Sequence, residues 1–259
     1  MMFIVISLLI FIIAVISYIG YKRYKNHPTM LSRTIDSKVD QYYENKSDKE
    51  LKSMYTSGPF GITQGSMINL SQLLLAETTK EGLVIPTLEA SYNVGAIGNV
   101  SALMSNITRV YLGEGDQTFI QFLLDSLGNV KEAMIFNKVL STNPNEEGWD
   151  YLVGDDGMIG LFEASIKKDD GTDVVYNRAF DPYDGNNTRI NPVPYKELIM
   201  CEDGTKISTD GGFMLYSRNV VDTTEYCLMQ ITTVDGESSA DVFVGIIIPD
   251  ENYISVINS

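Results

Sequence analysis

His27 is the single histidine of the chain, and Cys201 and Cys227 are its two cysteines. A serine or cysteine nucleophile is activated by an imidazole base, so Ser-His-Asp and Cys-His catalysis are excluded from everything beyond the N-terminal stretch. Two cysteines and one histidine also exclude His-based and Cys-only zinc sites. No GxxxxGK[ST] phosphate loop and no GxSxG nucleophile elbow is present. Carboxylates remain. They concentrate in three turn-like stretches: Asp155-Asp156-Gly157, Asp169-Asp170-Gly171 with Asp173, and Asp181-Pro182-Tyr183-Asp184-Gly185-Asn186. Oxygen-rich loops of this kind are the chemistry of calcium, with Asp181 and Asp184 the best-placed pair. None follows the D-x-[DN]-x-[DN]-G spacing, and Asp-Gly is also the ordinary choice for a tight turn. A carboxylate pair could serve a glycosidase, but nothing selects one pair over another. The reading is therefore no enzyme, no catalytic residue and no cofactor. Trp149 and Tyr151, in Gly148-Trp149-Asp150-Tyr151, form a candidate stacking platform or contact anchor, or a partly buried strand-edge pair.

The elements that would position such groups begin with an apolar segment. Residues 1–21 carry no charged side chain. About 20 helical residues span the roughly 30 Å hydrocarbon core of a bilayer, so this stretch reads as a transmembrane anchor. A cleaved secretory signal is the competing reading, but the positive charges follow the apolar run instead of preceding it. Lys22, Arg23 and Lys25, with Tyr21 and Tyr24, mark a membrane interface, and the positive-inside rule places the C-terminal part on the cytoplasmic side. The expected protein is single-pass, with the lipid bilayer as a partner.

Charge divides the chain. Residues 1–57 hold 8 Lys/Arg against 5 Asp/Glu, a balance of +3, whereas residues 58–259 hold 11 against 29, a balance of −18. Residues 22–57 read as a basic juxtamembrane stalk of two short helices, 29–44 and 48–56. The second opens on the capping box Ser47-Asp48-Lys49-Glu50. The acidic remainder argues against nucleic-acid binding, which needs basic surface, and favours either basic partner surfaces or simple solubility.

Ser57-Gly58-Pro59-Phe60-Gly61 breaks the helical pattern, and the texture beyond it is β. Four hairpins are legible: 118–124 with 130–136, 158–166 with 172–180, one turning at Asp203-Gly204, and one turning at Asp235-Gly236. Residues 242–248 are apolar on both faces apart from Gly245, as in a strand covered on both sides. The stretches 66–76 and 99–108 read equally as helix or strand. Ten to twelve short strands with Gly/Asp turns predict a mainly β chain whose residues 58–259 form an acidic antiparallel β-sandwich or jelly roll. Cys201 and Cys227 both fall on strands, where they are free thiols in a reducing compartment or a disulfide outside one.

In layout (anchor, basic stalk, acidic β domain, no catalytic constellation) the chain resembles the membrane-anchored minor capsid proteins of icosahedral DNA viruses that have an internal membrane. That resemblance implies a virion structural protein that links a membrane to a protein shell or lattice, in several copies. The alternative is a single-pass glycoprotein whose ectodomain binds a receptor or glycan. It draws on the five N-x-[ST] sequons at Asn45, Asn69, Asn99, Asn106 and Asn186.

Overall fold

The computed structural model describes residues 57–102, 105–154, 157–168, 170–179, 189–234 and 237–258. In chain order the strands are β1 (Met67–Leu70), β2 (Ser91–Ala102), β3 (Ser105–Leu112), β4 (Thr118–Leu124), β5 (Val130–Thr142) and β6 (Glu163–Lys167). They continue as β7 (Asp173–Arg178), β8 (Val193–Cys201), β9 (Lys206–Val220), β10 (Thr223–Val234), β11 (Glu237–Ile247) and β12 (Ile254–Ile257). Helix α1 (Gln72–Thr78) follows β1, and α2 (Glu146–Val153) follows β5. Each helix starts where a side chain satisfies an orphan amide: Ser71 accepts from Leu74 N–H, and Asn145 from Gly148 N–H.

Eight strands close on themselves. The order is β2-β3-β4-β5-β11-β10-β9-β8, every neighbouring pair is antiparallel, and β8 pairs with β2 to complete the ring. The expected β-sandwich or jelly roll is thereby corrected to a closed antiparallel barrel. The closing register, Ala96↔Cys201 through Ala102↔Tyr195, joins segments far apart in the chain, so no local pattern announces it. Closure leaves the ring without an edge.

Strand alternation then sorts the side chains. Inward positions include Ala96 and Val100 on β2, Tyr111 on β3, Phe119 on β4, Phe136 on β5, Leu228 on β10 and Phe243 on β11; all are buried. Outward positions are also apolar. Ile97, Val110, Ile120, Phe122, Ile135, Val244 and Ile246 pack under β1, β12 and α1 in one cluster, and Met214, Tyr216, Cys227 and Met229 pack under the β6–β7 hairpin in another. A two-layer sandwich would show its outer faces to water. Here added elements cover two sides of the barrel, which explains why 242–248 is apolar on both faces.

The outer cover is pinned by Glu225, fully buried on the outward face of β10. Its Oε1 accepts from the backbone N–H groups of Val84 (2.6 Å) and Ile85 (2.9 Å). Its Oε2 accepts from Tyr176 Oη (2.8 Å) on β7 and from Arg218 Nε (2.8 Å) on β9. One carboxylate thus fastens a crossing segment and a hairpin to the barrel wall.

Several expectations shift in detail. The hairpin expected over 158–180 is shorter, pairing Glu163–Lys167 with Asp173–Arg178. The Asp203-Gly204 turn is a four-residue loop between Cys201 and Lys206, not a two-residue one. The Asp203 side chain accepts from Thr205 N–H (2.8 Å), and Gly204 takes φ +84, where a residue without Cβ is unstrained. The ambiguous stretch 66–76 splits into a strand and a helix, and the described part of 99–108 is strand. The expectation of a single-pass membrane protein, and of its localisation, is corrected: among the described residues no helix is long and apolar enough to cross a membrane. The anchor at 1–21, the stalk at 22–57 up to residue 56, and the interface residues Lys22, Arg23, Lys25, Tyr21 and Tyr24 lie outside the described residues.

Replacing Glu225 by Ala strands the Arg218 charge and two amides beneath the cover. The expected loss is about 3–5 kcal/mol of unfolding free energy, read by urea denaturation. An unchanged midpoint would show that the cover is held by apolar packing alone.

Candidate functional site at the barrel mouth

The barrel has a closed end and an open end. At the closed end Val100, Ala102, Ile107, Val193 and Tyr195 fill the interior, with Leu123 and Phe213 against them. The open end is where β3 turns into β4 and β8 into β9. A cavity of about 1400 Å³ enters there, lined by residues of seven of the eight barrel strands, all but β5, or the loops at their ends. Eight-stranded barrels are wide enough either to be filled by side chains or to hold one small ligand. This one does the first at its base and leaves room for the second at its mouth.

Between base and mouth lies a polar layer built on inward strand positions. Arg109 and Glu197 are 1 % and 2 % exposed. Arg109 Nη1 donates to Glu197 Oε2 (3.0 Å), Arg109 Nε to Gln121 Oε1 (3.1 Å), and Tyr111 Oη to Glu197 Oε1 (2.7 Å). The guanidinium also lies 4.9 Å from the Phe119 ring centroid, a cation–π distance. Burial is the largest influence and opposes the Arg109 charge, but the Glu197 carboxylate together with Tyr111 and Tyr195 outweighs it and holds the guanidinium above its ordinary pKa. Burial first, then the Glu197 charge, push the Tyr111 phenol well above its ordinary range. The carboxylate reaches this place because Gly98 faces it across the β2–β8 seam: a Cβ on residue 98 would overlap Glu197 Oε1.

Above that layer the mouth wall carries Gln230 and Asp241, cross-strand partners on β10 and β11. They are 6 % and 5 % exposed. Gln230 Nε2 donates to Thr232 Oγ1 (2.9 Å), and Ser239 Oγ donates to Asp241 Oδ2 (3.0 Å). Gln230 Oε1 and Asp241 Oδ1 have no hydrogen-bond partner among the described residues. Lys138 Nζ lies 3.4 Å from Asp241 Oδ1 and 2.5 Å from Asp116 Oδ2. A buried acceptor left unpaired costs about 1–3 kcal/mol. Gln230 Oε1 is left so, and Asp241 Oδ1 beside it has an ion pair but no hydrogen bond, so this wall of the cavity marks a place where a ligand's donors would repay that cost.

The chain belongs to the DUF2491 family. That family is described as "Protein of unknown function (DUF2491)", and its profile matches residues 31–249, which include β1 through β11. No curated protein and no solved structure matches the chain. The match to DUF2491 covers every strand of the barrel and every residue of the mouth described above.

The residues singled out from sequence fall elsewhere. Trp149 and Tyr151 lie on α2, not on a strand; Trp149 is half-buried and Tyr151 is 68 % exposed. They are not among the residues lining the mouth. Asp181 and Asp184 lie outside the described residues. Among those that are described, no group of three or more His, Cys, Asp or Glu is arranged to hold a metal ion. Cys201 and Cys227 are both free. Cys201 lines the mouth, whereas Cys227 is buried under the outer cover, where burial pushes its thiol up. Arg109, Glu197, Gln230 and Asp241 were not singled out from sequence. Their signal was a charged residue at an inward position of an otherwise largely apolar strand: Arg109 in ITRVYL, Glu197 in YKELIM, Asp241 in ADVFVG.

Two outcomes follow for this layer. Glu197→Leu alone should cost about 3–5 kcal/mol, because Arg109 is left buried and unpaired. Glu197→Leu with Arg109→Met should recover most of that loss, a coupling that a double-mutant cycle in urea would read. The second outcome concerns alkaline pH. Burial is the first cause raising Tyr195 and Tyr216, each to about 12, and Tyr111 and Tyr176 are raised further. These phenols stay protonated in the fold, while the unfolded chain releases its protons near the ordinary value of about 10. Their contribution is therefore fully present below about pH 10 and is lost as pH rises through about 12, by roughly 1.4 kcal/mol per pH unit for each tyrosine. Urea midpoints measured on either side of pH 10 should show that fall, with part of the tyrosinate absorbance appearing only on unfolding.

Proposed function

We propose that this protein is a non-enzymatic binding protein that holds one small molecule in the mouth of its barrel. The observation that supports this most is the pair of deeply buried acceptors, Gln230 Oε1 and Asp241 Oδ1, on the wall of a roughly 1400 Å³ cavity. The polar layer beneath them serves as a floor. Its members satisfy one another, with Glu197 engaged by Arg109 and Tyr111, so the floor is rigid and offers no free nucleophile. Around the opening, Tyr92 and Ile199 supply apolar area, and the backbone of the strands keeps the walls fixed. Such a site binds with little rearrangement, because its geometry is set by the closed ring. Of the readings raised from sequence, recognition of a ligand has an observation in its favour. Linking a membrane to a shell rested on the membrane anchor and has none.

A thermal-shift screen of chemically diverse small molecules tests this. A ligand at about 100 times its Kd should add about 2.7 kcal/mol, a rise of roughly 5–10 °C in Tm for a domain of this size. Ile199→Trp narrows the mouth from its inner wall and should abolish the rise while leaving the far-ultraviolet spectrum unchanged. A screen with no hit, or hits that ignore the Trp substitution, would remove the mouth as a binding site.

A further inference from the structure

The charge of the mouth is one-sided. Glu89, Glu114, Asp116, Glu202 and Asp203 surround its opening, and Asp241 lies within. Among the described residues no lysine or arginine lines it; Lys138, on β5 outside the lining, pairs with two of its carboxylates, Asp116 and Asp241. An anionic ligand would meet repulsion at every approach, and a neutral one would gain nothing from the field. Gln230 Oε1, which has no partner, and Asp241 Oδ1, which has the Lys138 ion pair but no hydrogen bond, ask for N–H or O–H donors, not for further acceptors. The amide of Gln230 is oriented by its bond to Thr232, so Oε1 is the atom left facing the cavity. Among the described residues no cluster of three carboxylates is close enough to hold a bare metal ion. These observations select an organic cation with several N–H donors.

The molecule carries its own example of the fit. The Lys138 ammonium, on a four-carbon stem and outside the cavity lining, pairs with Asp116 and Asp241, two carboxylates of the lining, with its nitrogen 5.3 Å from the Phe243 ring centroid. A second alkylammonium could dock on the other side of Asp241, against Gln230. From this we infer that the mouth takes a primary alkylammonium ligand bearing more than one positive charge. Its terminal ammonium would donate to Gln230 Oε1 and Asp241 Oδ1, and its outer charges would face the carboxylates of the rim. This rests on the reading of the mouth as a ligand site and names the ligand class. Both a free linear polyamine and a lysine-rich peptide present that group. The base of the barrel is filled by side chains, so the extended thin chain of either would enter end-on from the mouth.

The test is calorimetric titration of the full chain with spermidine, and separately with a short oligolysine peptide, at low and at physiological salt. Spermidine should bind in the wild type, with affinity falling as salt rises. Gln230→Met and Asp241→Asn, each close to its parent in volume, should raise Kd about tenfold or more, as loss of a hydrogen bond to a charged group does. Glu114→Gln with Glu202→Gln changes only exposed positions that leave the fold intact; it should weaken binding a few-fold and flatten the salt dependence. Tight oligolysine binding with weak spermidine binding would identify the source of the ammonium as a protein side chain; the reverse would identify a free amine. Binding that survives Gln230→Met and Asp241→Asn but vanishes in the rim variant would overturn the proposal, since the cation would then be only a surface counter-ion. If no amine binds while a neutral molecule from the thermal-shift screen does, the ligand class is wrong and the mouth stands. If nothing binds at all, both fall.

Discussion

The seam between β2 and β8 is the constraint on which the rest of this structure depends. It turns a meander and its return strands into a ring, and it is made where Glu197 passes over Gly98. Backbone pairing alone would not hold a carboxylate there. Glu197 can be buried only because Arg109 and Tyr111, both on β3, reach across the interior to satisfy it. Closure, the missing side chain at residue 98 and the ion pair are therefore one solution. A larger residue at 98 evicts the carboxylate, and without the carboxylate the guanidinium is stranded.

The same seam decides what the interior can be. Below it the side chains are apolar and fill the space; above it the walls diverge into the mouth, where loops joining consecutive strands meet. A barrel that needed only stability would continue the apolar filling to the top, because burying Gln and Asp without full pairing opposes folding. The polar layer separates a part of the barrel specified by packing from a part left open. The outer cover completes this division. With β1, β12, α1 and the β6–β7 hairpin burying the outward apolar faces, the barrel does not rely on its interior alone for a core.

How much of this could be read from sequence follows the range of each interaction. Strands and hairpins were legible because alternation and Gly/Asp turns are local: 118–124 and 130–136 pair as the pattern suggests, and Val234 pairs with Glu237 on either side of Asp235-Gly236. The barrel was not legible, because Ala102 pairs with Tyr195 and nothing near either residue says so. The doubly apolar stretch 242–248 correctly signalled cover on both sides, but a sandwich and a covered barrel give the same local signal. The candidate site was missed for a different reason. Conspicuous groups, such as the lone Trp149 and the Asp-rich turns, drew attention as chemistry, while the residues that meet in the mouth are single polar positions on separate strands. Arg109, Glu197, Gln230 and Asp241 become a site only after closure.

That distribution bears on what the mouth can do. Groups contributed by separate strands of one closed ring cannot move independently, so the positions of Gln230 and Asp241 are fixed by the register of β10 on β11, which runs unbroken from Glu225 to Val234. A rigid wall suits recognition of a small group by direction and charge more than it suits a reaction that needs groups to approach and withdraw. The flexibility that a ligand's entry requires must then come from the ligand or from the rim, where Glu114, Glu202 and Asp203 stand on loops and are exposed. Specificity is assigned to the wall and attraction to the rim. For a cation in water this division is physically economical, because long-range charge acts on approach, and short-range hydrogen bonds act only once an ammonium has shed its hydration against the acceptors of the wall.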